Sequence, residues 1–156
     1  MRRIIWFVLG IPLGLIALMA LSMGISHVYL AVKTYPEAVD VPNWSVLAQE
    51  QIPSIVTLDA DGSRRITQLW IAEVNGRAYL RAGDSRWFAN LRREPSLDLR
   101  IGGVSYACQV ERVAEPQQVA TVMAAFRAKY PRRSAFFRAI GIATNNVLAL
   151  GCAGEV

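Results

Sequence analysis

Three short turn signals constrain the fold of this chain more than any other feature of its sequence. They are Asp61-Gly62, Asn75-Gly76 and Gly102-Gly103, and each lies between segments in which apolar and polar residues alternate. Alternation with period two is typical of half-buried β-strands. Asn-Gly and Asp-Gly pairs favour two-residue hairpins because these residues tolerate positive φ. The pattern predicts an antiparallel meander that closes into a small barrel.

Six strands are predicted in this way. They cover residues 55–60, 66–74, 78–81, 97–101, 104–113 and 145–153. Apolar residues at helical spacing predict three flanking helices, over residues 44–51, 116–130 and 135–140. The longest has Pro116 in its first turn, Pro131 after its end, and a buried stripe of Val119, Val122, Met123 and Phe126. The predicted fold class is therefore mainly β with flanking helices.

A further helix, short and basic, is predicted between the third and fourth strands. Asp84 or Ser85 can cap its start, and Pro95 ends it. One face carries Arg86, Asn90 and Arg93, and the opposite face carries Trp87, Phe88 and Leu91. With its apolar face on the sheet, such a helix can hold an anion, most naturally a phosphate, at its polar face and first-turn amides. The alternative is a solvated basic helix that covers one end of the barrel.

The composition excludes several classes of site. The single histidine, His27, lies in the apolar N-terminal region, so no Ser-His-Asp or Cys-His catalytic centre is expected in the folded domain. With two cysteines and no Cys-x-x-Cys pair, no metal site is expected either. The formal net charge of +5 is too small to indicate nucleic-acid binding. Cys108 and Cys152 both fall on apolar strand faces and can be two buried thiols or a disulfide bridge.

The N-terminal residues predict a membrane anchor. Residues 4–25 contain no charged side chain and follow Arg2 and Arg3. As a helix they would extend roughly 33 Å, enough to cross a bilayer. The positive-inside rule then predicts a single-pass inner-membrane protein with its N-terminus in the cytoplasm and its C-terminal domain outside. A cleaved signal peptide and a buried core helix are the alternatives. The predicted division is an anchor at 1–32, a stalk and short helix at 33–53, and a barrel domain at 54–156.

Five segments together give the chain a resemblance to a known family. They are residues 56–62 (VTLDADG), 65–70 (RITQLW), 79–81 (YLR), 85–95 (SRWFANLRREP) and 124–130 (AAFRAKY). In this order and spacing they resemble the pyridoxamine 5'-phosphate oxidase-like and flavin reductase-like split barrels. The nearest branch is that of the deazaflavin-dependent oxidoreductases, which includes nitroreductases. The resemblance covers residues 54–130.

The resemblance implies a dimer of six-stranded antiparallel split β-barrels, with FMN or a deazaflavin coenzyme across the barrel at the subunit interface. The segment 67–70 would present its backbone to the cofactor ring, and residues of the next strand and helix would hold the cofactor phosphate. The cofactor-binding residues implied are Thr67, Gln68, Leu69, Trp70, Arg81, Ser85, Arg86 and Asn90. Gln68 stands where many relatives carry proline, which could change the backbone presented to the ring.

Two functions from different classes follow. The first is a membrane-anchored FMN- or deazaflavin-binding oxidoreductase that transfers hydride or electrons to a small molecule, with the chemistry supplied by the cofactor. The second is a non-catalytic split barrel that serves as a binding or assembly module at the membrane surface. No side chain in the sequence is recognisable as a general base. The sequence therefore assigns no catalytic residue, electron donor or substrate.

Overall fold

The computed structural model describes residues 21–22, 24–25, 33–49, 52–132, 134–135 and 146–153. The chain divides into two compact units, residues 1–34 and 35–156. Of the predicted transmembrane segment, only residues 21, 22, 24 and 25 are described, and these are helical and exposed. The rest of that prediction lies outside the described residues. Among the residues that the structure describes, no helix is both long and apolar enough to cross a membrane.

The second unit is built on one sheet of seven antiparallel strands. The strands are β1 (Ser54–Leu58), β2 (Arg64–Gln68), β3 (Ile71–Val74), β4 (Arg77–Ala82), β5 (Ser96–Ile101), β6 (Val104–Arg112) and β7 (Asn146–Cys152). Their order in the sheet is β2-β1-β5-β6-β7-β4-β3. β2 and β3 occupy opposite edges, although only Leu69 and Trp70 separate them in the chain. The sheet must therefore curl until its two edges approach each other, which produces a half-open barrel.

The prediction of six strands is wrong by one, because the predicted strand at 66–74 is two strands. β2 pairs with β1, whereas β3 pairs with β4 at the other edge. At the break, the Leu69 backbone N–H donates a hydrogen bond to the Pro53 carbonyl at 3.0 Å. Residues 66–74 favour a strand throughout, since they are rich in Ile, Thr, Trp and Val. The segment breaks only because its first half pairs with β1 and its second half with β4. The local sequence does not encode this difference in pairing.

The three predicted turns are confirmed. Asn75 and Gly76, with φ of 53° and 78°, connect β3 to β4. Gly102 and Gly103, with φ of 61° and 85°, connect β5 to β6. Gly62 adopts φ of 80° between β1 and β2. Positive φ at both central residues is what a type I′ hairpin turn requires. Local backbone preference thus determines three of the six strand pairings.

In the part of the chain that the structure describes, the sheet is flanked by the helices α1 (Trp44–Leu47), α2 (Arg86–Arg93) and α3 (Pro116–Lys129). α1 is shorter than predicted, and its Trp44 is buried in the barrel interior. α2 is the predicted basic helix and ends before Pro95. The Glu115 carboxylate caps α3 by accepting hydrogen bonds from two backbone N–H groups of its first turn. Of the helix predicted at 135–140, all but Ala135 lies outside the described residues.

Two apolar clusters lie on the two sides of the sheet. The cluster inside the barrel includes Leu80 of β4 and three residues of α2, namely Trp87, Phe88 and Leu91. The second cluster lies beneath α3 and joins Tyr79 of β4 to Val122 and Phe126. Successive strand residues point to opposite faces, which is why Leu80 and its neighbour Tyr79 belong to different clusters. The predicted buried stripe of α3 is confirmed.

A disulfide joins Cys108 of β6 to Cys152 of β7, at directly paired positions of the two strands. The sequence leaves open whether the two cysteines are buried thiols or a disulfide, and the structure contains the disulfide. Both cysteines are buried in the barrel interior. The bridge therefore fastens the last strand of the chain to the middle of the sheet.

The segment before α1 packs on the barrel. The Ala38 backbone N–H donates to the Ser105 carbonyl, and the Ser105 N–H donates to the Pro36 carbonyl, both at 2.9 Å. The Arg100 guanidinium lies 4.9 Å from the centroid of the Tyr35 ring. Part of the predicted stalk thus belongs to the same folded unit as the barrel.

Candidate functional site

Helix α2 begins without a side-chain cap. Ser85 precedes the helix with an extended backbone, but its hydroxyl makes no hydrogen bond to the first turn. Within the described part of the chain, the Ser85 Oγ atom is buried and has no hydrogen-bond partner. The first turn carries no acidic residue, and Arg86 is exposed there. The backbone N–H groups of this turn therefore keep their capacity to bind an anion.

Asn90 does not share an exposed face with Arg86. Its side chain is buried, and its Nδ2 atom donates hydrogen bonds to Thr57 Oγ1 at 3.1 Å and to Asp59 Oδ1 at 2.7 Å. Helical spacing assigns Asn90 to the polar face of α2, but the structure turns this position towards the end of β1. The amide thus fastens the helix to the sheet.

The Asp59 carboxylate lies among the basic residues next to α2. Arg65 donates to it from Nε at 2.8 Å and from Nη2 at 2.6 Å. Hydrogen bonds from Arg65 and then from Asn90, reinforced by the positive charges of Arg65 and Arg86, lower the pKa of Asp59 to about 2. The polar face of α2 therefore already faces one carboxylate of the protein itself.

Four predicted cofactor residues, Thr67 to Trp70, lie at the junction between β2 and β3, and they differ in exposure. Thr67 is half-buried, Gln68 is exposed and Leu69 is buried. The Trp70 ring stacks on Tyr130, with ring centroids 5.4 Å apart and 25° between the ring planes. Tyr130 immediately follows α3, so the end of this helix covers one face of the Trp70 ring.

Arg81 lies on the outer side of β4. Tyr79 belongs to the cluster beneath α3, and strand alternation puts Arg81 on the same side. The Arg81 guanidinium carbon lies 5.6 Å from the centroid of Trp70 and 5.3 Å from that of Phe126. Burial, and then the nearby positive charge of Arg127, lower the pKa of the Arg81 guanidinium.

The structure thus divides the predicted cofactor residues into three places. Ser85, Arg86 and Asn90 lie on α2, Thr67, Gln68 and Leu69 lie at the end of β2, and Trp70 and Arg81 lie beside α3. Two residues of these surroundings, Asp59 and Arg127, are not among the candidates that the sequence predicts. For Asp59 a signal exists, because it follows Thr57 by two residues and so faces the same side of the strand. For Arg127 no local signal exists, since Arg81 is far from it in the chain.

A groove of about 850 Å³ lies along β1, β5, β6 and β7. Its wall includes Arg64 and Asp98, which form an exposed salt bridge of 3.2 Å. None of the predicted cofactor residues lines it. Within the described ranges, no three acidic, histidine or cysteine residues are grouped so that they could hold a metal ion.

Three solved structures illustrate the fold relationship. The conserved hypothetical protein Rv2991 from Mycobacterium tuberculosis is 20% identical, with a TM-score of 0.53 over 76% of this chain and 84% of that one. The F420-H2 dependent reductase FDR-A is 15% identical, with a TM-score of 0.54 over 65% and 95%. HutZ, the heme storage protein from Vibrio cholerae, is 11% identical, with a TM-score of 0.54 over 67% and 84%. At these identities the similarity shows the fold alone, a curled split-barrel sheet with flanking helices.

The chain also matches the sequence model of a known protein family. No curated protein matches the chain significantly. The family model described as "Uncharacterized protein conserved in bacteria (DUF2255)" matches residues 45–146. The match extends from α1 to the start of β7 and covers more than half of the 156 residues. The chain therefore belongs to the DUF2255 family.

Proposed function

We propose that the protein binds FMN or a deazaflavin coenzyme and acts as an oxidoreductase that transfers hydride or electrons to a small molecule. The fold supports this proposal, since a structural relative is named as an F420-H2 dependent reductase. The observation that carries it is the start of α2, where the buried Ser85 hydroxyl has no hydrogen-bond partner in the described chain. Such a start offers several donors to an anionic group and contributes no acidic residue of its own.

The residues present fit a phosphate-bearing cofactor. The Ser85 hydroxyl and the first-turn amides of α2 would donate hydrogen bonds to the phosphate, and Arg86 would add a positive charge. The exposed Gln68 and the backbone around it would contact the ring system at the break between β2 and β3. A bound flavin or deazaflavin supplies the hydride chemistry, and the protein supplies its orientation and its electrostatic surroundings.

A non-catalytic binding or assembly module is the second candidate. Two contacts favour it, because each occupies a group that a cofactor would use. The Asp59 carboxylate already accepts a hydrogen bond from Asn90 on the polar face of α2. Tyr130 already covers one face of the Trp70 ring. Cofactor uptake by the purified protein separates the two candidates.

The test uses the full-length chain, purified in detergent and incubated separately with FMN and with a deazaflavin coenzyme. After removal of free cofactor, we expect absorbance in the flavin or deazaflavin bands to remain with the protein. We expect the Ser85→Ala/Arg86→Ala double variant to bind the cofactor about ten- to hundredfold more weakly, because it loses a charge-assisted contact.

Arg92→Ala is the matched control. It removes the same charge from the last turn of the same helix, where Arg92 lies over Phe88, 5.5 Å from the ring centroid. Its cofactor affinity should stay close to that of the unmodified protein. A protein that takes up neither cofactor would support the non-catalytic module, and equal weakening by both variants would remove Ser85 and Arg86 from the site.

We further propose that residues 4–25 anchor the protein in the inner membrane as a single pass, with the N-terminus in the cytoplasm and the barrel outside. The sequence supports this with its uncharged segment after Arg2 and Arg3. The Cys108–Cys152 disulfide supports it as well, since such bridges persist in oxidising compartments. An alkaline phosphatase fusion at the C-terminus should be active, and an inactive fusion would place the barrel in the cytoplasm.

We also propose that the protein forms a homodimer, as the resemblance to split barrels implies. The groove along β1 and β5, with Leu58 exposed at 42% on its wall, offers a surface for a second copy. Light scattering on the detergent-solubilised chain should give the protein mass of a dimer. A protein mass of one chain would exclude it.

A further inference from the structure

Arg81 differs in its partners from three other arginines of the sheet. Arg65 is paired with Asp59, Arg64 with Asp98, and Arg77 with Glu111. Arg81 is half-buried, yet within the described part of the chain its guanidinium has no hydrogen bond and no carboxylate partner. Its contacts there are the rings of Trp70 and Phe126. A charged group that is partly withdrawn from water without a counter-ion requires an explanation.

Two aromatic rings lie beside the Arg81 guanidinium. Cation–π contact places the face of the planar group against an aromatic ring and leaves its N–H donors directed outward in the plane. These donors have a fork geometry that matches two oxygens of one carboxylate or phosphate group. The N–H donors of Arg81 can therefore bind two oxygens of a carboxylate or phosphate group, and its partial exposure leaves a path for such a group.

A second positive charge lies nearby. Arg127 directly follows Phe126, whose ring Arg81 contacts, and it lies on the exposed side of α3. Its positive charge also contributes to the lowered pKa of the Arg81 guanidinium. Two cations placed together repel each other unless an anion lies between them. Residues 116–154, which form α3 and β7, contain no aspartate or glutamate. These elements therefore supply the site with positive charge and no neutralising side chain.

We propose that Arg81 and Arg127 form an oxyanion-binding site on the outer face of β4, beside α3, which binds the carboxylate or phosphate group of a small ligand. This site is separate from the start of α2. Helix α2 packs on the apolar cluster inside the barrel, whereas Arg81 lies on the opposite side of the sheet, against Phe126 of the cluster beneath α3. The inference goes beyond cofactor binding and does not require it.

The experiment is calorimetric titration of the full-length chain with inorganic phosphate in one arm and with succinate in the other, both without cofactor. We expect binding in at least one arm, and the comparison of arms identifies the preferred oxyanion. Arg81→Gln should weaken that binding by about tenfold or more, because it removes a charge-assisted bidentate contact. Arg127→Gln should weaken it by a smaller factor, and Arg81→Lys should fall between the two, since lysine keeps the charge but loses the planar fork.

Arg77→Gln is the matched control. Arg77 lies on the same face of the same strand, but it is paired with Glu111 at 3.3 Å. Its loss changes the net charge equally and should leave oxyanion affinity unchanged. If Arg81→Gln does not fold, which thermal unfolding of each variant will show, Arg127→Gln compared with Arg77→Gln still decides the question.

Three results would overturn the proposal. The first is no binding of either anion at millimolar concentration. The second is equal weakening by the variants at Arg81 and Arg77, which would indicate a general effect of net charge. The third is competition between FMN and phosphate for Arg81, which would make this place part of the cofactor site. Failure of cofactor uptake alone leaves the titration result intact, so the two proposals are tested independently.

Discussion

Asp59 shows how one carboxylate can hold an element in place. It accepts hydrogen bonds from Arg65 at the start of β2 and from Asn90 on α2, and only 24% of its side chain is exposed. Hydrogen bonds to a charged acceptor are stronger than those between neutral groups. At the scale of single residues, this contact connects the hairpin β1–β2 to α2 and holds the helix against the end of β1.

The Asp59→Asn variant should be less stable than the unmodified protein at pH 7. The folded-state pKa of about 2 lies below the ordinary value of 3.8, so the carboxylate stabilises the fold fully above pH 4. This stabilisation is lost as the pH falls towards 2. The difference in free energy of unfolding between the two proteins should therefore shrink between pH 4 and pH 2, as measured by thermal unfolding at each pH.

Asp98→Asn serves as the control for this pH series. Asp98 forms an exposed salt bridge with Arg64, and exposed pairs contribute about 0–1 kcal/mol. The variant should unfold almost like the unmodified protein at every pH. A constant stability difference for Asp59→Asn down to pH 2 would contradict the assigned role of its carboxylate.

At the scale of elements, α1 and the β5–β6 turn approach each other closely. A Cβ atom added to Gly102 would lie 2.7 Å from Leu47 Cδ2, whereas one added to Gly103 would meet no atom within 4 Å. Both glycines have positive φ, which disfavours any other residue. The positive φ therefore disfavours a side chain at both glycines, whereas the close approach of Leu47 restricts Gly102 alone.

Gly102→Ala should destabilise the protein more than Gly103→Ala. Each substitution costs about 1–2 kcal/mol from the positive φ, and Gly102→Ala adds the displacement of Leu47. In a Leu47→Ala background this additional cost should disappear. Urea unfolding of the four variants measures the difference, and equal effects of the two glycine substitutions would show that Leu47 moves aside at no cost.

At the scale of the whole molecule, two connections hold the curled sheet. The two-residue junction between β2 and β3 joins its opposite edges through the backbone. The Cys108–Cys152 bridge joins two central strands across a sequence separation of 44 residues. A cross-link restricts the unfolded chain more when it closes a longer loop. The bridge therefore stabilises the sheet as a whole rather than one turn.

Removal of the bridge in the Cys108→Ser/Cys152→Ser variant should lower the free energy of unfolding by about 2–4 kcal/mol. Reductant should lower the unfolding midpoint of the unmodified protein and leave that of the double variant unchanged. Thermal unfolding with and without reductant tests both expectations. Equal midpoints for the oxidised protein and the variant would show that the bridge contributes nothing to stability.

Much of the architecture could be predicted from local sequence. Asn75-Gly76 and Gly102-Gly103 encode their hairpins through their own φ preferences, and Pro116 encodes the start of α3 through its fixed φ. The apolar faces of α2 and α3 follow from helical spacing. The candidate site could be predicted only in part, because the surroundings of Asn90 and Arg81 depend on residues far away in the chain.

By itself, the sequence determined the turns, the helix starts and the alternation of the strands, because each depends on residues within one or two turns of chain. It also determined the cationic character of the C-terminal part, since no acidic residue occurs between residues 116 and 154. Only the tertiary structure decided that the strand at 66–74 breaks and that Asn90 bonds to Asp59. It alone also decided that Cys108 meets Cys152 and that Arg81 contacts the rings of Trp70 and Phe126. These features arise when the sheet curls and brings together residues that the chain keeps far apart.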